Sequence, residues 1–381
     1  MTNDSPTEAM TETLLNMLSY LDHDPDNLQL LSDCAEMALN EGHPKKASEL
    51  LNHFASISEL PAKDIGNAGL AALQCKNYKD AEIHFRKLYT GGEKSPTIRF
   101  NLAWSLAMNK ENQAALDVMD SKTLETLPQA AMLELQILHE TGQLKQAEER
   151  AKKHVESEIK HSGLNAAISV LALDIEDAAL AKSAALKAGA HPDALTTLGT
   201  LALDEDDPDE ALKLFNSAMD ISQGGPRTLI GKGLAQLLKG ENDEALKNID
   251  QGAEIFETHI GSWIAAGWAH FMKQDFTGAR KRFDRALSID ENFAESHGSL
   301  AVIDVIEGQL SQARIRTKIA LKLDRECFSA SLARALMVSS NGNPDKAEQI
   351  LHHAINTPID ESGRTISRSI TRLGLSSPTL H

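Results

Sequence analysis

The sequence has few aromatic residues, few cysteines and fewer basic than acidic residues. Aromatics make up 4% of the 381 residues, while alanine and leucine are plentiful, which favours helices over sheets. Asp and Glu number 55 against 38 Lys and Arg, for a formal net charge of −17. A general binder of nucleic-acid backbones needs clustered Lys and Arg. The balance therefore argues against nucleic acid and against an anionic membrane surface as partners, while it suits basic partners.

The three cysteines, Cys34, Cys75 and Cys327, lie far apart and form no CxxC motif. This spacing argues against a disulfide framework or a zinc site and fits a reducing compartment. We expect each cysteine to be a small buried apolar residue. The first ten residues lack the basic and apolar regions of a secretory signal. No apolar run reaches the roughly 18 residues of a membrane span, so we expect a cytoplasmic protein without direct membrane insertion.

One alanine recurs along the chain at a nearly constant step. The successive intervals are 34, 34, 32, 31 and 33, followed by four of 34. The series is Ala47, Ala81, Ala115, Ala147, Ala178, Ala211, Ala245, Ala279, Ala313 and Ala347. A periodicity of this length indicates a repeat architecture rather than separate globular domains.

A second small residue lies twelve positions before each of these alanines, and nine of the ten are Gly or Ala. Small side chains are needed where two helices pack at about 8–10 Å between their axes. Polar turns such as Lys239-Gly240-Glu241-Asn242 lie between the two small positions. Because glycine ends helices, each unit is predicted to be a helix, a turn, a second helix and a turn.

Residues 23–361 resemble about ten tandem tetratricopeptide (TPR) repeats. The best single match comprises Trp263, Ala266-Gly267, Ala279, Phe283 and Ala286. The resemblance implies an all-α fold, a right-handed α-α superhelical solenoid of antiparallel helix pairs. Between about 120 and 190 the pattern departs from the family, since the spacing falls and Leu135 and His154 replace small residues.

The pattern predicts four segments. Residues 1–22 form an N-terminal capping helix, in which Ser5-Pro6-Thr7-Glu8 resembles a capping box. Residues 23–157 and 158–361 form N-terminal and C-terminal TPR-like arrays, with a joint near 157–175. Residues 362–381 form a C-terminal capping helix and a disordered tail.

In the TPR family the first helix of each unit lines the concave face, where ligands commonly lie. The resemblance places an apolar peptide-binding groove on that face, formed by Phe100, Trp104, Met108, Leu234, Leu237, Leu238, Ile264, Trp268, Phe271, Met272, Val302, Val305 and Ile306. A large exposed apolar patch usually marks a binding surface, which suits an amphipathic helix or an extended peptide segment. Alternatively, these residues pack in the core or against the chain's own C-terminal segment.

No catalytic, metal-binding or cofactor-binding motif accompanies the repeats. GxGxxG, GxSxG, HExxH and Walker sequences are all absent. The acidic run Asp204–Glu210 is interpreted as a solvated turn whose last acids lie at a helix N-terminus. We therefore expect a non-catalytic scaffold or adaptor that uses no cofactor and binds one or more proteins through the concave face. The alternatives are an assembly factor or chaperone for a secretion or membrane-associated complex and a ligand-responsive sensor, and self-association remains open.

Overall fold

The computed structural model describes residues 10–156, 161–222 and 224–357. These residues form 22 α-helices and no β-strand, so the predicted all-α fold is confirmed for them. The chain divides between Leu164 and Asn165 into two compact units. This boundary lies in the first turn of the helix that begins at Ser162, and that helix is counted with the second unit.

The first unit contains α1 (Glu12–Leu21), α2 (Leu28–Asn40), α3 (Pro44–Ile57), α4 (Ala62–Gln74), α5 (Tyr78–Thr90), α6 (Pro96–Met108), α7 (Asn112–Val118), α8 (Ser121–Thr126), α9 (Pro128–Glu140) and α10 (Leu144–Glu156). Its repeats pair α2 with α3, α4 with α5, α6 with α7 and α9 with α10. α1 adds a half-pair at the front, where Leu14 and Leu21 are buried against the core of α2 and α3.

The second unit contains α11 (Ser162–Asp174), α12 (Ala178–Ala188), α13 (Pro192–Asp204), α14 (Pro208–Ile221), α15 (Pro226–Leu238), α16 (Asn242–Phe256), α17 (Ile260–Met272), α18 (Phe276–Ile289), α19 (Ala294–Ile306), α20 (Leu310–Leu323), α21 (Phe328–Ser340) and α22 (Pro344–Asn356). Contacts pair α13 with α14, α15 with α16, α17 with α18, α19 with α20 and α21 with α22, and α11 and α12 hold the corresponding places in chain order. In both units, the two members of each pair are called the first helix and the second helix.

Every first helix has 13 residues, and a turn of three residues follows it. The middle residue of all ten turns has a positive φ, which closes the first helix and redirects the chain. Glycine occupies five of these positions, namely Gly42, Gly142, Gly240, Gly308 and Gly342. The other five are Lys76, Lys110, Glu176, Asp206 and Gln274, so the turn geometry is kept even where the favourable residue is missing.

Replacing Lys76 with glycine is expected to raise the free energy of unfolding by about 0.5–1 kcal/mol. The backbone of Lys76 has a φ of 59°, in the left-handed region, which costs ~1–2 kcal/mol for a non-glycine residue. Glycine removes this cost, but part of the gain in stability is lost because glycine has more conformational freedom in the unfolded chain. Chemical denaturation measures the change. The neighbouring Cys75 has an ordinary φ of −79°, so Cys75→Gly is the control and should not stabilise. Equal effects of the two variants would contradict the argument.

The turns correct one position of the predicted alanine series. In nine second helices the alanine of the series is the fourth residue, but Ala178 is the first residue of α12 and is exposed. Ala181 holds the fourth position and is fully buried. The interval from Ala147 to Ala181 is then 34 and that from Ala181 to Ala211 is 30, because α12 is a short helix of 11 residues. The small residue twelve positions before Ala181 is Ser169, also fully buried, instead of Ala166.

Close contact between the paired helices is the reason for the small residues. A Cβ added to Gly69, Gly199 or Gly267 would lie 2.7, 2.7 or 2.2 Å from the ring of Phe85, Phe215 or Phe283, respectively. These phenylalanines, four residues after the alanine of their second helix, are fully buried. In each of these repeats, the core therefore contains a phenylalanine ring that packs directly against a glycine of the partner helix.

The predicted departure after residue 120 corresponds to a broken second helix. α7 ends at Val118 after only seven residues, and the six-residue α8 follows it. Arg99 stabilises the break, since it donates a hydrogen bond of 2.8 Å to the carbonyl of Val118 and pairs with Asp120 at 3.2 Å. Leu135 is buried on α9 in place of a small residue.

Two other predictions are affected by the structure. Cys34 and Cys327 are buried as expected, whereas Cys75 is exposed because it lies at the end of α4, beside the turn; the expectation of burial was wrong for this residue. The capping-box motif at 5–8 and the segment 362–381 lie outside the described residues. In the part of the chain that is described, no helix combines the length and apolar character required to cross a bilayer.

Candidate ligand-binding surface

The predicted groove residues occupy matching positions of the first helices, which are the fifth, ninth, twelfth and thirteenth. These positions follow one another along one side of each first helix. We call the side chains at these positions the first-helix surface. Their exposure differs strongly from one repeat to another, so the repeats differ in the apolar surface that they offer to a ligand.

An apolar groove of about 640 Å³ lies across α13, α15 and α17 in the second unit. Leu234, Leu237, Leu238 and Met272 of the predicted set line it, together with Leu203. Met272 is 52% exposed and Leu238 is 37% exposed. The structure therefore brings four predicted residues together around an open apolar depression, which we call the leucine groove.

Ile264, Trp268 and Phe271 are partly buried beneath the same surface. The Trp268 ring lies 5.0 Å from that of Phe271 and 5.6 Å from that of the buried Phe283. Trp268 and Phe271 also pack against the cluster around Val302. These residues belong more to the core than to the open surface, so replacing Trp268 with a charged residue would disturb folding.

Val302 corrects the predicted set, because its side chain is fully buried. It packs with Ala301 and Ala333 where α19 and α21 approach closely. Gly298 permits that approach, since a Cβ there would lie 2.7 Å from the backbone nitrogen of Ala330. Beside it, Val305 is half-buried and Ile306 is 41% exposed. Neither lines the leucine groove.

In the first unit, Phe100, Trp104 and Met108 lie along one side of α6. Trp104 is 36% exposed and its ring lies 6.1 Å from that of Phe100. Phe100 and Met108 are partly buried against the core of the unit. Leu70, at the corresponding ninth position of α4, is 38% exposed and was not predicted. The binding role of this patch stays a prediction.

A polar pocket of about 460 Å³ adjoins the leucine groove and shares Leu203 and Leu234 with it. Threonines from two helices line it, and the hydroxyls of Thr196 and Thr228 lie 2.7 Å apart. Sequence reasoning missed this pocket. The signal available was the replacement of apolar residues by Thr196, Thr200 and Asp204 at positions five, nine and thirteen of α13.

An ion pair crosses one side of the polar pocket. Arg227 of α15 donates to both carboxylate oxygens of Asp174 at 2.9 and 3.0 Å. Its guanidinium also lies over the ring of Phe256 at 5.8 Å. Burial lowers the pKa of the neighbouring His259 below its ordinary value, and the positive charge of Arg227 lowers this pKa further. Both effects favour the neutral form of His259, whose Nδ1 lies 2.6 Å from the hydroxyl of Ser262.

The comparison with solved structures supports a repeat architecture over nearly the whole chain. The APC/C hetero-tetramer Cut9–Hcn1 matches with a TM-score of 0.52 and 15% identity, covering 95% of this chain and 81% of that one. The chain therefore has a helical-repeat fold of the TPR-like kind. At this identity the similarity concerns the fold alone.

Two shorter structures match parts of the TPR-like array. PilF of Pseudomonas aeruginosa has a TM-score of 0.41 and 15% identity, and the match covers 50% of this chain and 88% of that one. YrrB, described as a TPR protein with an unusual peptide-binding site, has a TM-score of 0.38 and 14% identity, with coverages of 48% and 97%. No protein-family model matches the chain, and no curated protein matches it in sequence.

Acidic residues predominate around the leucine groove of the TPR-like array. Residues 192–275 contain 15 Asp and Glu against six Lys and Arg, a net charge of −9. Two of the lysines near the groove are already neutralised. Lys239 donates to Asp209 at 2.6 Å, a hydrogen bond that raises the pKa of this lysine, and Lys273 pairs with Asp243.

The acidic run 204–210 forms a turn and the start of α14, as the sequence predicts. Asp207 caps α14 by accepting a hydrogen bond of 3.0 Å from the backbone N–H of Glu210. Asp209 and Glu210 lie in the first helical turn, where the helix dipole favours negative charge. Within the described residues, no group of three or more His, Cys, Asp and Glu side chains is placed to hold a metal ion.

Proposed function

We propose that this protein is a non-catalytic scaffold whose second unit binds a segment of a partner protein. The segment is helical or extended, apolar on one side and basic on the other. The observation that carries the proposal is the leucine groove, where Leu234, Leu237, Leu238 and Met272 leave apolar surface open to solvent. Apolar patches of this kind are typical of interaction sites.

The chemistry of the groove suits side chains of Leu, Ile or Met type in the partner. Met272 has a flexible thioether chain that adapts to differently shaped ligands. Each fully covered aliphatic side chain contributes about 1.5–3 kcal/mol. Micromolar affinity corresponds to about 8 kcal/mol, so two or three such side chains reach it only when polar contacts are added. The threonines and His259 of the adjoining polar pocket offer such contacts.

Charge complementarity determines the other side of the partner segment. The region around the groove carries a net charge of −9, and Lys239 and Lys273 have carboxylate partners. An acidic ligand would be repelled on approach, whereas a basic segment would be attracted and would bind faster. These features favour a basic amphipathic segment over an acidic one.

The proposal also places the protein in a reducing compartment such as the cytoplasm. Support comes from three cysteines that lie far apart in the sequence and are free in the structure. No observation favours the assembly-factor or sensor alternatives over a scaffold.

Replacing Leu238 and Met272 together with glutamine is expected to weaken binding of a basic amphipathic probe by about tenfold or more. The two side chains are 37% and 52% exposed, and losing their apolar contacts costs at least ~1.4 kcal/mol, which is a factor of ten. The probe is a fluorescein-labelled helical peptide of Leu and Lys, and fluorescence anisotropy measures its Kd.

The matched control is Ile255→Gln, since Ile255 is 53% exposed on the second helix α16 and away from the groove. It should leave the Kd unchanged, and all variants should keep the wild-type melting temperature. The proposal is wrong if the control weakens binding as much as the groove variant. It is equally wrong if the same two groove substitutions weaken binding of a peptide of Leu and Glu as much as they weaken binding of the basic one.

A further inference from the structure

The last three described helices, α20 to α22, carry an excess of positive charge in an otherwise acidic chain. Residues 310–357 contain seven Lys and Arg against four Asp and Glu, a net charge of +3. The whole chain has a net charge of −17. The local charge is therefore opposite in sign to the net charge of the chain, and the positions of these cations show whether they form one surface.

Six of these cations line two adjoining depressions of about 460 and 500 Å³ formed by α20, α21 and α22. We call this surface the basic cleft; its cations are Arg314, Lys318, Lys322, Arg325, Arg334 and Lys346. Arg334 and Leu321 belong to both depressions, which makes them continuous.

The cations of the basic cleft are not neutralised from within the described chain. All six side chains are exposed, and none of them forms an ion pair with a described residue. By contrast, Arg316 of the same helix forms an ion pair with the buried Asp304 at 3.1 Å. The cleft therefore presents like charges to solvent, an arrangement that an anionic ligand would relieve.

Thr317 provides an independent indication of a ligand. It lines the cleft between Arg314 and Lys318, is 5% exposed, and its Oγ1 atom is buried without a hydrogen-bond partner. A buried hydroxyl without a partner costs about 1–3 kcal/mol. A small shift of the surrounding side chains would let this hydroxyl donate to an anionic group that enters the cleft.

The shape of the cleft selects among anionic ligands. Arg314, Lys318 and Lys322 follow at four-residue intervals along one side of α20, a row that spans about 12 Å. Leu321 and Met337 supply an apolar floor. No Phe, Tyr or Trp lines the cleft in the described residues, so it lacks the stacking side chains that single-stranded nucleic acids use.

We propose that the basic cleft binds an acidic segment of a partner protein, with its carboxylates on the cations and an aliphatic side chain on the apolar floor. The net charge of −17 disfavours a long polyanion, whose phosphates would extend past the cleft onto acidic surface. The protein would then have two protein-binding sites of opposite charge preference, the leucine groove and the basic cleft. The second site does not depend on the first.

The experiment uses a fluorescein-labelled peptide of Glu-Glu-Leu repeats and anisotropy titration with the full chain. Reversing two charges with Lys318→Glu and Arg334→Glu is expected to weaken binding about tenfold or more. Salt should weaken wild-type binding, because exposed charges are screened. The control reverses Lys45 and Lys79, two exposed lysines of the first unit, which changes the net charge equally and should leave the Kd unchanged.

A second variant keeps the test independent of folding defects. Thr317→Val removes the buried hydroxyl while preserving side-chain shape, so it should raise the melting temperature and still weaken peptide binding severalfold. Equal Kd values for the wild type and the Lys318/Arg334 variant would overturn the proposal. So would tighter binding of an oligothymidine probe than of the peptide. Self-association in sedimentation that is lost on charge reversal would likewise overturn it, because the occupant would then be a second copy.

Discussion

Replacing Phe283 with alanine is expected to lower the free energy of unfolding by about 3–5 kcal/mol. The ring is fully buried and is packed with Leu300 and Ile303 of the following repeat. It also contacts Gly267, where no Cβ fits, and lies 5.6 Å from the ring of Trp268. Alanine would leave a cavity that the glycine opposite cannot fill.

Guanidinium denaturation followed by circular dichroism measures this effect. Lys281→Ala on the same helix is the control, because Lys281 is exposed. Such surface changes usually alter stability by no more than about 0.5 kcal/mol in either direction. Phe283→Leu should recover part of the loss, since leucine fills more of the site. A loss below about 1 kcal/mol for Phe283→Ala would show that the phenylalanine and glycine contact does not hold the pair together.

The repeat unit was predictable from the sequence because its determinants are local. Gly267, Ala279 and Phe283 are close in the sequence and meet in one contact, so their spacing alone indicates the helix pair. The prediction was wrong at Ala178 because Ala181 is also alanine and α12 has only 11 residues. The interval from Ala178 to Ala211 is 33 residues, whereas the interval from the buried Ala181 is 30, so the constant spacing favoured the wrong alanine.

The candidate site was less predictable because it depends on distances between consecutive first helices. Val302 and Leu234 both occupy the ninth position, yet Val302 is fully buried and Leu234 borders a groove. The difference comes from Gly298, which lets α21 approach α19, and sequence patterns contain no measure of that approach. The Arg227–Asp174 pair joins residues 53 apart, a separation at which helical periodicity carries no information.

Replacing Asp304 with alanine is expected to cost about 3–5 kcal/mol, the typical penalty for removing one partner of a buried ion pair. Its side chain is fully buried on α19 and lies 2.7 Å from Arg280 and 3.1 Å from Arg316. Arg280 keeps a second partner, since it also pairs with Glu307 at 2.8 Å. The cost therefore falls mainly on Arg316, whose Nε is buried and forms no hydrogen bond, so that its ion pair with Asp304 is what compensates its charge.

A double-mutant cycle separates the pair from the fold around it. If the cost comes from an uncompensated guanidinium, Asp304→Leu combined with Arg316→Met should be much less destabilising than the sum of the two single changes. Denaturation midpoints of the four proteins give the coupling energy, and Lys318→Met on the same helix is the control for losing a cation. Additive effects would mean that Asp304 contributes by filling space, and that the ion pair does not join α18, α19 and α20.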